Sequence, residues 1–218
     1  MGTLRPGQVG LVNGKIGTIV VCRWKKKIIT RSAPGKATKP PTVPQLDQRM
    51  RLGMVSTLLS QLSNVINIGY QSCNRNMTPV NAATKYHMNE LIVGEYPDYT
   101  LDYTKVKFTL PNSVNRIADG LRVTMKIEEA NQVKINWIKN DYPNYLTKLA
   151  DEVYVVFHNV DGEKVMFCQQ VATRGDLMVE LTLPVRFKDN EVHGYMFLVS
   201  ANGKLVSNTH YLGLIELV

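Results

Sequence analysis

Candidate acid–base residues occur as two adjacent pairs, Glu128-Glu129 and Asp151-Glu152. Both pairs fall at the ends of predicted strands or in turns, and adjacent residues on a strand point to opposite faces. General acid–base catalysis needs groups within reach of one reacting atom, which such pairs do not supply. We therefore expect these carboxylates to be solvated loop charges.

Side chains that could bind a metal or act as nucleophiles are scattered along the chain. The cysteines and histidines show no CxxC or HxxxH spacing: Cys22, Cys73, Cys168, His87, His158, His193 and His210. The chain also lacks a GK[ST] phosphate loop, a GxSxG elbow and an HExxH motif. These patterns predict a protein that is not an enzyme and that uses no cofactor or metal ion.

One tripeptide, Arg174-Gly175-Asp176, matches the sequence that integrins recognise. It lies between two predicted strands, where Gly and Asp are typical turn residues. We expect it to be a turn and not an adhesion site.

Positive charge is concentrated at the N-terminus. Residues 1–51 contain eleven Lys/Arg and one acid and carry +10, whereas residues 52–218 contain fifteen Lys/Arg and seventeen acids and carry −2. Such asymmetry predicts a segment that meets a negative partner or is neutralised in an assembly. The predicted contact residues are Lys15, Arg23, Trp24, Lys25, Lys26, Lys27, Arg31, Lys36, Lys39, Arg49 and Arg51.

Two kinds of partner fit this segment, and they can coexist. Cations interleaved with Trp24 and flexible Pro/Gly neighbours suit phosphate neutralisation without base recognition. No reading helix, zinc finger or RNA-binding aromatic motif indicates sequence-specific binding. Alternatively, the cations pair with acids of neighbouring subunits, and Trp24 anchors a hairpin or packs beneath such a subunit.

The N-terminal segment has two predicted elements. Runs rich in β-branched residues, 16–22 and 28–30, flank the three lysines 25–27 and predict a β-hairpin with a basic tip. Residues 32–44 contain four prolines, which block both helices and sheet ladders, so we expect an extended strap.

Two helices should follow. Thr42 and Gln45 resemble a capping box, Pro44 falls in the first turn, and an apolar stripe then continues to Ile66. Thr78-Pro79 predicts the start of a second helix that runs to about residue 91. We expect the two helices to form an antiparallel pair. Residues 96–103 should then form a linker.

The hydrophobic period changes to two after the linker. Eight short strands, separated by Gly, Asn and Asp turn signals, are predicted at 106–108, 121–127, 133–137, 153–157, 165–168, 177–183, 193–199 and 211–217. Trp137 is placed as a core tryptophan would be in an immunoglobulin or fibronectin III domain. The expected fold is α+β: an arm over residues 1–44, a helical pair over 45–95, and an antiparallel β-sandwich over 96–218.

Composition restricts where the protein can act. The chain shows no signal peptide and no apolar window long enough to span a membrane. Three widely spaced cysteines fit a reducing compartment. We expect a protein made in the cytoplasm.

Several stretches resemble a family of uncharacterised bacterial and prophage-encoded proteins, catalogued as a domain of unknown function. They are GKIGTIVVCRWKKKIITRS at 14–32, INIGY at 66–70 and LVSANGKLVSNTHYLG at 198–213. The front end also looks like that of small virion-associated phage proteins. The family resemblance carries no activity. The missing catalytic motifs and the similarity of the front end to virion-associated proteins together predict a non-enzymatic structural component of a multi-subunit particle, most of all a virion. The alternative is a nonspecific nucleic-acid-binding protein, associated with the nucleoid or with RNA.

Overall fold

The computed structural model describes residues 2–4, 13–25, 27–35, 39–111, 113–128, 131–162, 164–188 and 190–215. The chain divides into two compact units, Met1–Thr42 and Val43–Val218. The boundary falls within the predicted Pro-rich strap. Residues 36–38 of that strap lie outside the described residues, and residues 33–35 and 39–42 form neither helix nor strand.

The first unit contains a four-stranded antiparallel sheet. Its strands are β1 (Gly2–Leu4), β2 (Gly14–Ile16), β3 (Ile19–Trp24) and β4 (Lys27–Ser32), in the order β1-β4-β3-β2. The two β-branched runs pair with each other, and Trp24 lies opposite Lys27 beside the turn. Among residues 13–25, 27–35 and 39–42, only Val21 is buried. This part of the chain therefore has almost no core of its own.

Three helices open the second unit: α1 (Val43–Gln61), α2 (Ser63–Gly69) and α3 (Pro79–Glu90). The start of α3 agrees with the prediction. The Asn81 N–H donates to the Thr78 hydroxyl (3.2 Å), and Pro79 occupies the first turn, where its missing N–H costs nothing.

The prediction of one continuous helix as far as Ile66 is wrong, so the expected helical pair is a set of three helices. At Leu62 the backbone has φ −102° and ψ 7°, outside the helical range, and α1 ends before it. Leu62, Val65 and Ile66 are all buried, which outweighs the interrupted helix hydrogen bonds. At the start of the predicted stripe, Leu46 and Met50 remain 38% and 37% exposed.

A hairpin that the sequence analysis missed follows α3. β5 (Ile92–Glu95) and β6 (Asp98–Leu101) pair antiparallel. β5 lies in the segment assigned to the helical pair, and β6 lies where a linker was expected. The Tyr99 hydroxyl donates to Asp47 of α1 (2.7 Å). This contact fixes the hairpin against the helical layer.

Residues 106–108 do not form the strand that their periodicity predicted. The Lys107 N–H donates to His87 Nε2 (3.2 Å), and the Phe108 and Thr109 N–H groups donate to Thr209 Oγ1 (2.8 and 3.0 Å). Because side chains accept from these donors, the segment needs no neighbouring strand.

The other seven predicted strands are present. They are β7 (Leu121–Ile127), β8 (Gln132–Ile138), β9 (Glu152–Asn159), β10 (Lys164–Thr173), β11 (Met178–Thr182), β12 (Val192–Val199) and β13 (His210–Ile215). They form two antiparallel sheets, β10-β9-β12-β13 and β11-β8-β7. The described part of the chain is mostly β with three helices, and the prediction of antiparallel sheets is confirmed.

The sheet β10-β9-β12-β13, which we call the central sheet, lies between two hydrophobic cores. Tyr154 and Val156 of β9 pack against the helices, whereas Val153, Val155 and Phe157 pack against the three-stranded sheet. Every residue of β12 is buried. The second unit therefore has three layers: helices, the central sheet and the outer sheet.

We expect Thr209→Val to destabilise the protein by about 2–4 kcal/mol, because two buried N–H groups lose their acceptor while the side-chain volume is kept. Urea unfolding measures the effect. Thr124→Val, at an exposed position of β7, serves as the control. Equal stability of the two variants would contradict this account of the segment.

Candidate functional site

The strand register places four of the predicted contact residues on one face of the N-terminal sheet. Directly opposed residues of antiparallel strands share a face. Val20 lies opposite both Lys15 and Arg31, and Trp24 lies opposite Lys27. Since Val20 and Trp24 are four residues apart on β3, all of these side chains point to the same side. We call Lys15, Trp24, Lys27 and Arg31 the basic face.

Apolar residues separate the members of the basic face. Val20 and Cys22 of β3 and Ile29 of β4 lie on the same side and are half-buried. The sequence analysis did not include them in the site. The alternation Val20-Cys22-Trp24 was the available signal, because alternate residues of a strand share a face.

Arg23 points to the opposite side of the sheet. It lies opposite Ile28, and on the same side Ile16 lies opposite Ile19. Ile16 and Ile19 are each 48% exposed. We call Ile16, Ile19 and Ile28 the apolar face, at whose end Arg23 lies.

Lys25, which follows β3, lies over the Trp24 ring. The Lys25 Nζ lies 5.3 Å from the centroid of the Trp24 ring, within the range of a cation–π contact. Lys25 has φ +44°, which is uncommon for a residue with a side chain. The lysine therefore takes part in the hairpin turn as well as contributing charge.

The remaining predicted contact residues are not assigned to either face of the N-terminal sheet. Lys26 and Lys36 lie outside the described residues, and Lys39 is exposed. Arg49 and Arg51 belong to α1 in the second unit, and Arg49 is exposed.

Arg51 makes its contacts within the second unit. Its guanidinium donates to the Met88 carbonyl of α3 (3.0 Å) and lies 5.9 Å from the Tyr99 ring centroid. The sequence analysis included Arg51, with Arg49, among the predicted contact residues. The structure instead uses Arg51 to join α1, α3 and the β5–β6 hairpin.

The integrin-like tripeptide is a short 3-10 turn between β10 and β11. Arg174 is only 6% exposed; its Nε donates to Asp151 (3.1 Å) and a terminal nitrogen donates to the Ala118 carbonyl (2.7 Å). The arginine therefore has a structural role. Glu152, next to Asp151, instead accepts from Gln170 (2.9 Å), so this acid pair does not converge on one point. The expectation that Asp151 is a solvated loop charge is wrong, because its carboxylate is buried and paired with Arg174.

A metal cluster and a membrane-spanning helix are both absent from the described residues. These residues contain no group of three or more His, Cys, Asp or Glu side chains arranged to hold a metal ion. They also contain no helix that is long and apolar enough to cross a membrane.

Three histidines are buried in the second unit: His87, His158 and His193. His87 Nε2 accepts from the Lys107 N–H, so Nδ1 carries the proton that is donated to the Ala83 carbonyl (2.8 Å). Burial lowers the pKa of His87. Burial, and to a smaller extent the neighbouring His193, lowers the pKa of His158 to about 4. The imidazoles of His87 and His158 are therefore neutral near pH 7.

We expect acid to destabilise the fold. The pKa of His158 falls from 6.5 in the unfolded chain to about 4 in the folded protein, so the unfolded state binds more protons between these values. The contribution of His158 to the free energy of unfolding is therefore fully present above pH 6.5 and is lost as the pH falls. At pH 5 the loss from His158 alone is about 2 kcal/mol.

Urea unfolding at pH 7.5 and pH 5 measures this loss. His158→Phe should reduce the pH-dependent loss by about 2 kcal/mol, since the phenyl ring does not titrate. A variant that keeps the full pH dependence would show that His158 is not the responsible group.

Comparisons with known proteins show a family and a weak likeness to solved structures. Residues 11–213 match a family of unknown function, DUF6266. No curated protein matches the sequence. Among solved structures, the fn3 domain of human collagen alpha-1(XX) chain is 13% identical and matches 49% of this chain and 90% of that domain, with a TM-score of 0.32. This TM-score is too low to support an argument about fold.

Proposed function

The chain belongs to DUF6266, a family of unknown function, and we propose that it is a non-enzymatic structural component of a multi-subunit particle, a virion or phage-derived assembly. In this proposal its N-terminal unit contacts both a neighbouring subunit and packaged nucleic acid. The protein is made in the cytoplasm and then becomes part of the particle.

The observation that carries this proposal is the two-sided N-terminal sheet. The basic face presents Lys15, Lys27 and Arg31 on the same side as Trp24, and the apolar face presents exposed isoleucines. Phosphates are held by exposed cations, whereas subunit contacts bury apolar surface. A sheet with one side of each kind can lie between a protein surface and a polyanion.

The distribution of charge supports the same function. Residues 1–51 carry +10, and the rest of the chain carries only −2. Acids elsewhere in the chain therefore cannot balance the N-terminal charge. An external polyanion would, and the release of its counterions favours binding.

The packed sheets of the second unit support a more specific assignment of its fold. We place them with immunoglobulin-like and fibronectin III-like sandwiches, because Trp137 of β8 is buried between two antiparallel sheets. Its indole N–H donates to the Arg174 carbonyl (2.9 Å). In the particle this sandwich is the folded body, and the N-terminal unit makes the contacts.

A second candidate function is nonspecific binding of nucleic acid by a monomer. The presence of three cations and an aromatic ring on one face favours it, since surfaces that combine cations with aromatic rings bind single strands with little sequence preference. This function needs the basic face alone. The apolar face would then be without a role.

The oligomeric mass separates the two functions. We expect nuclease-treated protein to elute as a multimer by light scattering at both low and high salt, because apolar contacts persist when charges are screened. Ile16→Thr combined with Ile19→Thr should reduce the mass to that of the monomer. A wild-type monomer that loses nucleic acid at high salt would support the second candidate instead.

Binding to a fluorescent single-stranded DNA of mixed sequence tests the basic face. In the triple variant Lys15→Gln, Lys27→Gln and Arg31→Gln, we expect the slope of log affinity against log salt to flatten by up to about 2, because up to three phosphate contacts are lost.

A control with the same charge change is Lys85→Gln, Lys126→Gln and Lys188→Gln, at exposed positions of the second unit. It should bind like the wild type. Arg23→Gln tests the assignment of faces, since it removes a neighbouring charge from the other side of the sheet. Equal loss in both triple variants would mean that net charge, and not the basic face, determines binding.

A further inference from the structure

The second unit contains an open cleft of about 350 Å³ between α1 and the end of β9. Thr57, Leu58 and Gln61 of α1 form one wall, and Leu101, Tyr103 and His158 form the other. Sequence analysis gave no indication of this cleft, because its residues are separated by up to about a hundred positions and match no motif.

Two polar groups in the cleft lack partners in the described part of the chain. Gln61 Oε1 is buried and accepts no hydrogen bond. His158 is 4% exposed, and its imidazole makes ring contacts but no hydrogen bond with the described residues. A buried acceptor without a partner is costly, and a ligand that donates a hydrogen bond would remove that cost.

The aromatic wall is held in place before any ligand binds. The Tyr103 ring stacks on His193 with centroids 5.0 Å apart, and lies 5.5 Å from His158. The Tyr103 carbonyl accepts from the Tyr195 hydroxyl (2.7 Å). A fixed ring loses little freedom when a ligand packs against it.

The lining determines which class of ligand can bind. No Lys, Arg, Asp or Glu is among the described residues that line the cleft, and His158 is neutral near pH 7 because burial lowers its pKa to about 4. Charged ligands would therefore be desolvated without compensation. Thr57, Gln61 and His158 offer hydrogen bonds, while Leu58, Leu101 and the Tyr103 ring offer apolar contact.

We propose that this cleft binds a neutral, hydroxyl-rich ring, a single sugar unit of a saccharide. A sugar hydroxyl donates to Gln61 Oε1, other hydroxyls bond to His158 and Thr57, and the C–H face of the ring packs on the apolar side chains. This site is independent of the polyanion contact, because it lies wholly in the second unit and none of its described lining residues is basic.

The test is NMR titration of the full-length protein with methyl α-D-mannoside, methyl β-D-galactoside, methyl β-D-glucoside and N-acetylglucosamine separately. For a ligand of this size we expect a dissociation constant on the order of 1 mM, so titration to about 20 mM approaches saturation. At least one sugar should shift the His158 imidazole and Gln61 side-chain signals in a saturable way. Absence of saturable shifts with all four sugars would overturn the proposal.

Variants locate the site. Gln61→Leu should weaken sugar binding at least about tenfold without lowering the melting temperature, because it replaces an unpaired buried acceptor. Thr57→Val provides a second, nearly isosteric test. Gln169→Leu, exposed on β10, should bind as the wild type does. Unchanged affinity in Gln61→Leu, or binding of glucose 6-phosphate as tight as that of the neutral sugars, would contradict the proposed chemistry.

Discussion

Burial of the central sheet on both faces is the constraint on which the second unit depends. A strand with one solvated face can alternate polar and apolar residues, but β9 and β12 have cores on either side. The helices and the outer sheet each cover one of these faces. The three layers therefore form together, because a central sheet with either cover removed would expose a full apolar face to water.

Most of the C-terminal fold could be predicted from sequence, because hydrophobic period and turn residues identify strands locally. Where prediction failed, tertiary contacts decided. The period-two run at 106–108 has no strand partner because side chains accept from its backbone donors. α1 ends at Gln61 without a proline or glycine beside it, and the missed β5–β6 hairpin begins directly after the predicted end of the second helix.

The candidate site could be predicted only as a segment. Composition locates the positive charge, but sorting Arg23 from Lys27 requires the register of β3 and β4. Arg49 and Arg51 look alike in sequence, and only the contact with Met88 and Tyr99 assigns Arg51 to the interior of its own unit. The sugar cleft had no local pattern to predict it, because its walls come from distant segments.

The segment 107–109 has a mechanical consequence. It is bonded to α3 through His87 on one side and to the start of β13 through Thr209 on the other. A pull on the helices is therefore transmitted to the central sheet through side chains, in a segment that cannot slide by one residue without losing all three bonds at once. A load on α3 would therefore reach β13 without first separating the layers.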